Sequence, residues 1–178
     1  MTITSVLSLG NVLMSDDGLG PAVLRAFEEQ YVVGPDVFVM DLGTPGLDLS
    51  PWLADAGQVV LIDTVKAPLP PGSLRLYRKA DLVGQGTVVR VSPHDPGVKE
   101  TLLALEFAGR APRDIVLIGI VPEVTTMGLD LSPAVAEAVP VAVLAVVAAL
   151  ERFGVAVARR AAPIAREPWW SAEVPVSA

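Results

Sequence analysis

Cysteine is absent from the 178 residues, which excludes disulfides, thiolate metal sites and a cysteine nucleophile together. Histidine occurs once, at position 94. Aromatic residues make up 5% of a chain that is 52% hydrophobic, so its core must be built from Val, Leu, Ile and Ala. That composition suits parallel strands covered by helices. Basic residues are also in deficit, 13 Lys and Arg against 20 Asp and Glu, and the net charge of −7 argues against nucleic acid as a partner. The opening MTITSVLSLG has neither a basic n-region nor a small-residue cleavage site, and is expected to form the first strand of a cytoplasmic protein. The glycines at 10, 18 and 20 do not make a dinucleotide fingerprint, because Gly-x-Gly-x-x-Gly is missing and acids occupy the phosphate position.

One stretch, Pro133 to Leu150, approaches the roughly 20 apolar residues of a membrane span. It carries Glu137 and Pro140 and is rich in alanine, which favours a helix packed on a sheet and a chain that stays off the membrane.

The length fits one domain, expected over residues 1–154, with 155–178 as a tail that is disordered or docked on the surface. Thr2 to Leu9, Val37 to Leu42 and Gln58 to Val65 read as strands, and Pro21 to Glu29 has the apolar spacing of a helix. Leu47 to Ala56 is expected as a short helix carrying Trp52. Ala67 to Gly72 is too short for a crossover helix, so Ser73 to Tyr77 should pair antiparallel at an edge. Val88 to Val91 is a further strand, Val98 to Phe107 a helix and Asp114 to Val121 the last clear strand. Ser132-Pro133 is a good N-cap and first-turn pair for the final helix. The expected fold is therefore α/β: a three-layer sandwich with a mostly parallel twisted sheet of about five strands, one antiparallel edge strand, and helices on both faces. In the tail, Trp169 and Trp170 have no periodic context.

The richest segment is Gly10 to Gly20 (GNVLMSDDGLG), which sets Asp16 and Asp17 in a glycine-flanked loop between a strand and a helix. Such crossovers at the carboxyl ends of strands are where ligands bind in open α/β folds. The bland reading is that both acids cap the following helix. Asp63 lies at the end of its own apolar strand, and His94 lies in the proline-flanked loop Ser92 to Pro96. Strand ends converge in a parallel sheet, and two carboxylates with one imidazole make a half shell suited to nickel, zinc or manganese with positions left open. Asp41 and Asp63 can instead bond nearby turn amides, Glu123 can line the same rim, and Gly43 to Gly46 is a turn or a peptide or anion cradle.

Five motifs in order resemble the hydrogenase maturation proteases: Gly10-Asn11-x-Leu13-x-x-Asp16-Asp17-Gly18-x-Gly20, Asp41-x-Gly43-Thr44-Pro45-Gly46, Leu61-Ile62-Asp63, Ser92-Pro93-His94 and Ile118-Gly119-Ile120-x-Pro122-Glu123. The resemblance covers roughly residues 3 to 150. It implies an endopeptidase that trims the C-terminal extension of the nickel-iron hydrogenase large-subunit precursor after nickel insertion. It also implies that Asp17, Asp63 and His94 are both the metal-contacting and the catalytic residues. Nickel would come with the substrate, leaving weak or no metal on the isolated protein, which is expected to be a monomer. The first acid is Glu in some members, so Asp17 is a modest variation, and Asp16 is left to shape or cap the loop. The alternative reading is a non-catalytic metal-sensing or chaperone-like module that binds a metalloprotein precursor; a self-contained metal hydrolase is a third.

Overall fold

Continuous apolar runs place three strands at the centre of the molecule, where helices cover both of their faces. The computed structural model describes residues 3–45, 49–84 and 97–165. In chain order the elements are β1 (Thr4–Ser8), a 3-10 turn (Ser15–Gly18), α1 (Leu19–Gln30), β2 (Tyr31–Val33), β3 (Val37–Asp41), α2 (Ser50–Leu53), β4 (Gln58–Thr64), β5 (Leu74–Arg78), α3 (Lys79–Val83), α4 (Val98–Phe107), β6 (Asp114–Ile120), α5 (Pro133–Arg152) and β7 (Val157–Arg159). Five strands form a sheet in the order β3-β1-β4-β6-β5. Four are parallel and β5 runs antiparallel to β6 at the edge. The mixed three-layer α/β fold is the one expected.

Period-two alternation sorts the side chains of the central strands into two cores. Val6, Val60, Ile62, Val116 and Ile118 face α1 and α5, whose Leu19, Val23, Phe27, Val135, Val143 and Val146 complete that layer. Leu7, Val59, Leu61, Ile115 and Leu117 face the other side, against Leu49, Leu53, Leu82, Val98 and Leu102. The long apolar helix α5 has the length and mean hydropathy (2.2) of a membrane span. In the fold it lays Val135, Ala138, Ala142, Val143, Val146 and Leu150 against the sheet and α1, with Val141 and Leu144 exposed.

Two differences from the expected elements have local causes. Within the described residues 49–56 of the helix anticipated over 47–56, only Ser50–Leu53 (α2) is helical, because Ala54 turns to extended backbone and Asp55 adopts a left-handed φ of 61°. Arg110 clamps that turn: its carbonyl accepts from the Asp55 N–H at 2.8 Å, and its guanidinium donates to Asp55 Oδ2 at 3.0 and 2.6 Å. Those guanidinium hydrogen bonds hold the exposed Asp55 carboxyl below its ordinary pKa. The second difference is a small antiparallel sheet of β2 with β7, pairing Tyr31 with Arg159 and Val33 with Val157. The expected strand Val88 to Val91 and the pair Trp169-Trp170 lie outside the described residues.

Candidate active site

The acid loop follows β1, and it is folded back tightly enough to need glycine at two positions. Gly10 has a φ of 135°, and a Cβ there would collide with the carbonyl of Asp17; a Cβ on Gly20 would collide with the carbonyl of Leu9. Glycine lets these backbones approach. Both aspartates are consequently buried, Asp16 completely.

Their surroundings differ in a way that decides their roles. A carboxylate offers about four lone-pair sites. Asp16 accepts four hydrogen bonds, with Oδ2 taking the N–H groups of Glu123 and Val124 at 2.8 and 2.9 Å and the Ser132 hydroxyl at 2.9 Å, and Oδ1 taking the Ser132 N–H at 2.6 Å. Its capacity is spent on fastening the loop after β6 and the start of α5. Neither Asp16 nor Asp17 caps α1, whose N-cap is Gly18 without a side-chain bond. Ser132 does occupy the N-cap position of α5 with Pro133 behind it, but its hydroxyl donates to Asp16 and makes no cap bond.

Asp17 accepts one donor on each oxygen, the Asn11 N–H on Oδ2 at 3.0 Å and the Thr64 hydroxyl on Oδ1 at 3.3 Å. Two such bonds leave lone pairs for a ligand. The Thr64 N–H in turn donates to Asp63 Oδ1 at 2.6 Å, so a single residue at the end of β4 holds both acids. Asp63 is buried to 2% exposure. Thr64 escapes a sequence reading because a β-branched residue closing a strand is already explained by strand propensity.

Asp41 lies one strand further out, its Oδ1 accepting from the Ser8 hydroxyl at 2.8 Å and the Gly43 N–H at 3.1 Å. It shapes a turn that is pinned to the acid loop by the Gly10 N–H on the Gly43 carbonyl, at 2.9 Å. Gly46 lies outside the described residues. The Glu123 side chain is exposed on the rim, and its backbone N–H serves Asp16. His94 and the loop Ser92 to Pro96 lie outside the described residues, and among the described residues no three His, Cys, Asp or Glu are grouped to hold a metal.

Residues 21–149 match the family model for hydrogenase maturation protease. The chain is 33% identical over 161 residues to the hydrogenase expression/formation protein HupD of Bradyrhizobium diazoefficiens, covering 90% of this chain and 84% of that protein. It is 30% identical over 151 residues to the hydrogenase 2 maturation protease of Escherichia coli, covering 84% of this chain and 92% of the relative. Among solved structures, the hydrogenase maturating endopeptidase HybD from E. coli matches with a TM-score of 0.80 and 29% identity, over 89% of this chain and 98% of that one. The [NiFe] hydrogenase maturation protease HybD from Thermococcus kodakarensis matches with a TM-score of 0.64 and 28% identity, over 83% and 99%.

Proposed function

The chain belongs to the hydrogenase maturation protease family, a family of peptide-bond hydrolases, and from that premise we propose that it removes the C-terminal extension of a nickel-iron hydrogenase large-subunit precursor after nickel has been inserted. Asp17, Asp63 and His94 read the substrate's nickel and carry the hydrolysis. The observation that supports this most directly is the Thr64 tether, which draws two buried carboxylates to the same strand end. Asp17 keeps acceptor capacity that Asp16 has lost.

Two carboxylates and an imidazole are an incomplete shell for nickel, so they hold the ion weakly unless the precursor contributes its own ligands. Weak binding is useful here, since it makes the docking of the metal report that the precursor has been loaded. Within that complex the ion can polarise the scissile carbonyl, while a carboxylate orients and deprotonates the attacking water.

The test is to incubate the protein with folded precursor in nickel-loaded and nickel-free forms and follow C-terminal shortening by mass spectrometry. Shortening of the loaded form alone is expected; cleavage of neither would overturn the reading. Asp17→Asn and His94→Ala should each lower processing by about 10²-fold or more while the melting midpoint stays near wild type. Near-normal processing by both variants would mean that the chemistry lies elsewhere.

A further inference from the structure

The main sheet ends at β3, a strand that uses only one of its two sides. The Leu42 N–H donates to the Ser8 carbonyl at 2.9 Å and the Asp36 carbonyl accepts from the Thr4 N–H at 3.3 Å, so the even-numbered residues of β3 bond inward to β1. Val39 and Asp41 therefore aim their backbone N–H and C=O away from β1, on a side where no described strand pairs. The run Val37 to Met40 has none of the charges or prolines that usually blunt such a strand. Val37 and Val39 pack towards α1, whereas Phe38 and Met40 share the opposite face, stay 42% and 38% exposed, and join neither core among the described residues.

The place where the described chain stops indicates what covers this side. The Arg160 N–H, the Arg160 guanidinium and the Ile164 N–H donate to the carbonyls of Gln30, Glu28 and Glu29, in the last turn of α1. Because α1 returns the chain from the end of β1 towards the start of β3, that turn lies at the end of the sheet where β3 begins. Thirteen residues, 166–178, follow the last described one. Among them Trp170, Ala172, Val174 and Val176 alternate with Ser171, Glu173 and Ser177, the period-two pattern of a half-buried strand. Pro168 and Pro175 bracket a run of six residues, Trp169 to Val174, against the five of β3. The stretch from Ile164 to Trp170 can span up to about 20 Å, enough to pass from the end of α1 to the strand on which α1 packs.

We propose that the chain's own residues 169–174 pair with the free side of β3 as a sixth, parallel strand, setting Trp170, Ala172 and Val174 on the face that carries Phe38 and Met40. The topology favours this addition. α1 and α5 cover the same face of the sheet; α1 carries the chain from β1 outward to β3, and α5 carries it from β6 in the same direction, so the new crossover has the same hand as β1-α1-β3. Main-chain bonds to Val39 and Asp41 hold the segment, and the indole of Trp170 supplies the largest apolar area in its run. The strap thereby closes a side that would otherwise offer an apolar template to another chain.

Amide hydrogen exchange, resolved residue by residue by NMR, tests the pairing. The full chain is compared with one ending at Ala165, which keeps β7 and the three bonds to α1, and with full-length Trp170→Ser, Trp170→Phe and Phe38→Ser. In the full chain the Val39 and Asp41 amides should exchange at least about tenfold more slowly than in the chain ending at Ala165, while amides of β4 and β6 keep their rates. Trp170→Ser and Phe38→Ser should lose most of that protection and Trp170→Phe should keep it. Nuclear Overhauser contacts should join the Trp170 indole to the Phe38 ring and the Met40 methyl. Equal Val39 and Asp41 rates with and without residues 166–178 overturn the strap. Indole contacts to Val141 and Leu144, the exposed apolar residues of α5, would place the segment on a different face and also overturn it. So would protection that rises with protein concentration and comes with contacts between differently labelled copies, which would give the free side of β3 to a second copy of this chain.

Discussion

Two neighbouring aspartates, both buried and identical in chemistry, are separated by how many donors reach them. Asp16 receives four, and replacing one of its oxygens by an amide would set an N–H against the Ser132 N–H or the Glu123 and Val124 N–H groups. Asp16→Asn is therefore expected to cost about 2–4 kcal/mol, lowering the melting midpoint by roughly 5–15 °C for a chain of this size. Asp17→Asn should leave the midpoint almost unchanged and remove processing, so thermal denaturation alongside the precursor assay tells the two acids apart. Thr64 is the third residue at this scale. Its hydroxyl bond to Asp17 is long at 3.3 Å, and such bonds in free sites tighten when the reacting complex forms. Thr64→Val keeps the shape, removes the donor and is expected to lower kcat/KM about tenfold, with Thr64→Ser close to wild type. Equal rates for Val and Thr would show that Asp17 needs no help from β4. Asp63 was legible in the sequence because an acid that ends an apolar strand is conspicuous, and the Asp16-Asp17 pair because it sits in a glycine-flanked loop, but the choice of Asp17 over Asp16 came from the family resemblance. The partners of Asp16 were not legible, since they lie more than a hundred positions away and are mostly backbone amides, which carry no residue signature.

At the scale of elements, the end of α1 has a requirement that distant chain meets. The last turn of a helix leaves four carbonyls without intrahelical partners. Here Phe27 accepts from the Tyr31 N–H, Glu28 from the Arg160 side chain at 3.1 Å, Gln30 from the Arg160 N–H at 2.8 Å and Glu29 from the Ile164 N–H at 3.0 Å. The same segment adds β7 to β2 and packs Val155 and Val157 against the α1–α5 core. Ending the chain at Gly154 should therefore destabilise it by about 2–4 kcal/mol, from the three lost hydrogen bonds to the α1 carbonyls, the lost β2–β7 pairing and the lost burial. Chemical denaturation with and without residues 155–178 measures this, and an unchanged midpoint would mean that the segment rides on the fold without supporting it. Strands of three residues give too few positions for period two to register, which is why β2 and β7 were not read from sequence while β4 and β6, with seven residues each, were.

For the whole molecule, the parallel order β3-β1-β4-β6 gathers the loops after β1, β4 and β6 at one edge of the sheet, and Asp16, Asp17 and Asp63 lie there. This arrangement makes the origin of the metal an experimental question. A structural metal site is closed by four protein ligands, whereas the proposed set of Asp17, Asp63 and His94 leaves positions open for ligands that the precursor brings. If nickel arrives with the precursor, treating the protease alone with a chelator and then removing the chelator should leave its processing of loaded precursor unchanged. The same treatment of a precursor whose nickel is extractable should abolish cleavage until nickel is restored. Metal analysis of the purified protease should accordingly find far less than one equivalent of nickel. Stoichiometric metal in the protease, with activity lost on its removal and regained on its return, would instead make this chain a self-contained metallohydrolase. Asp17, Asp63 and His94 would then have to hold the ion in the absence of substrate.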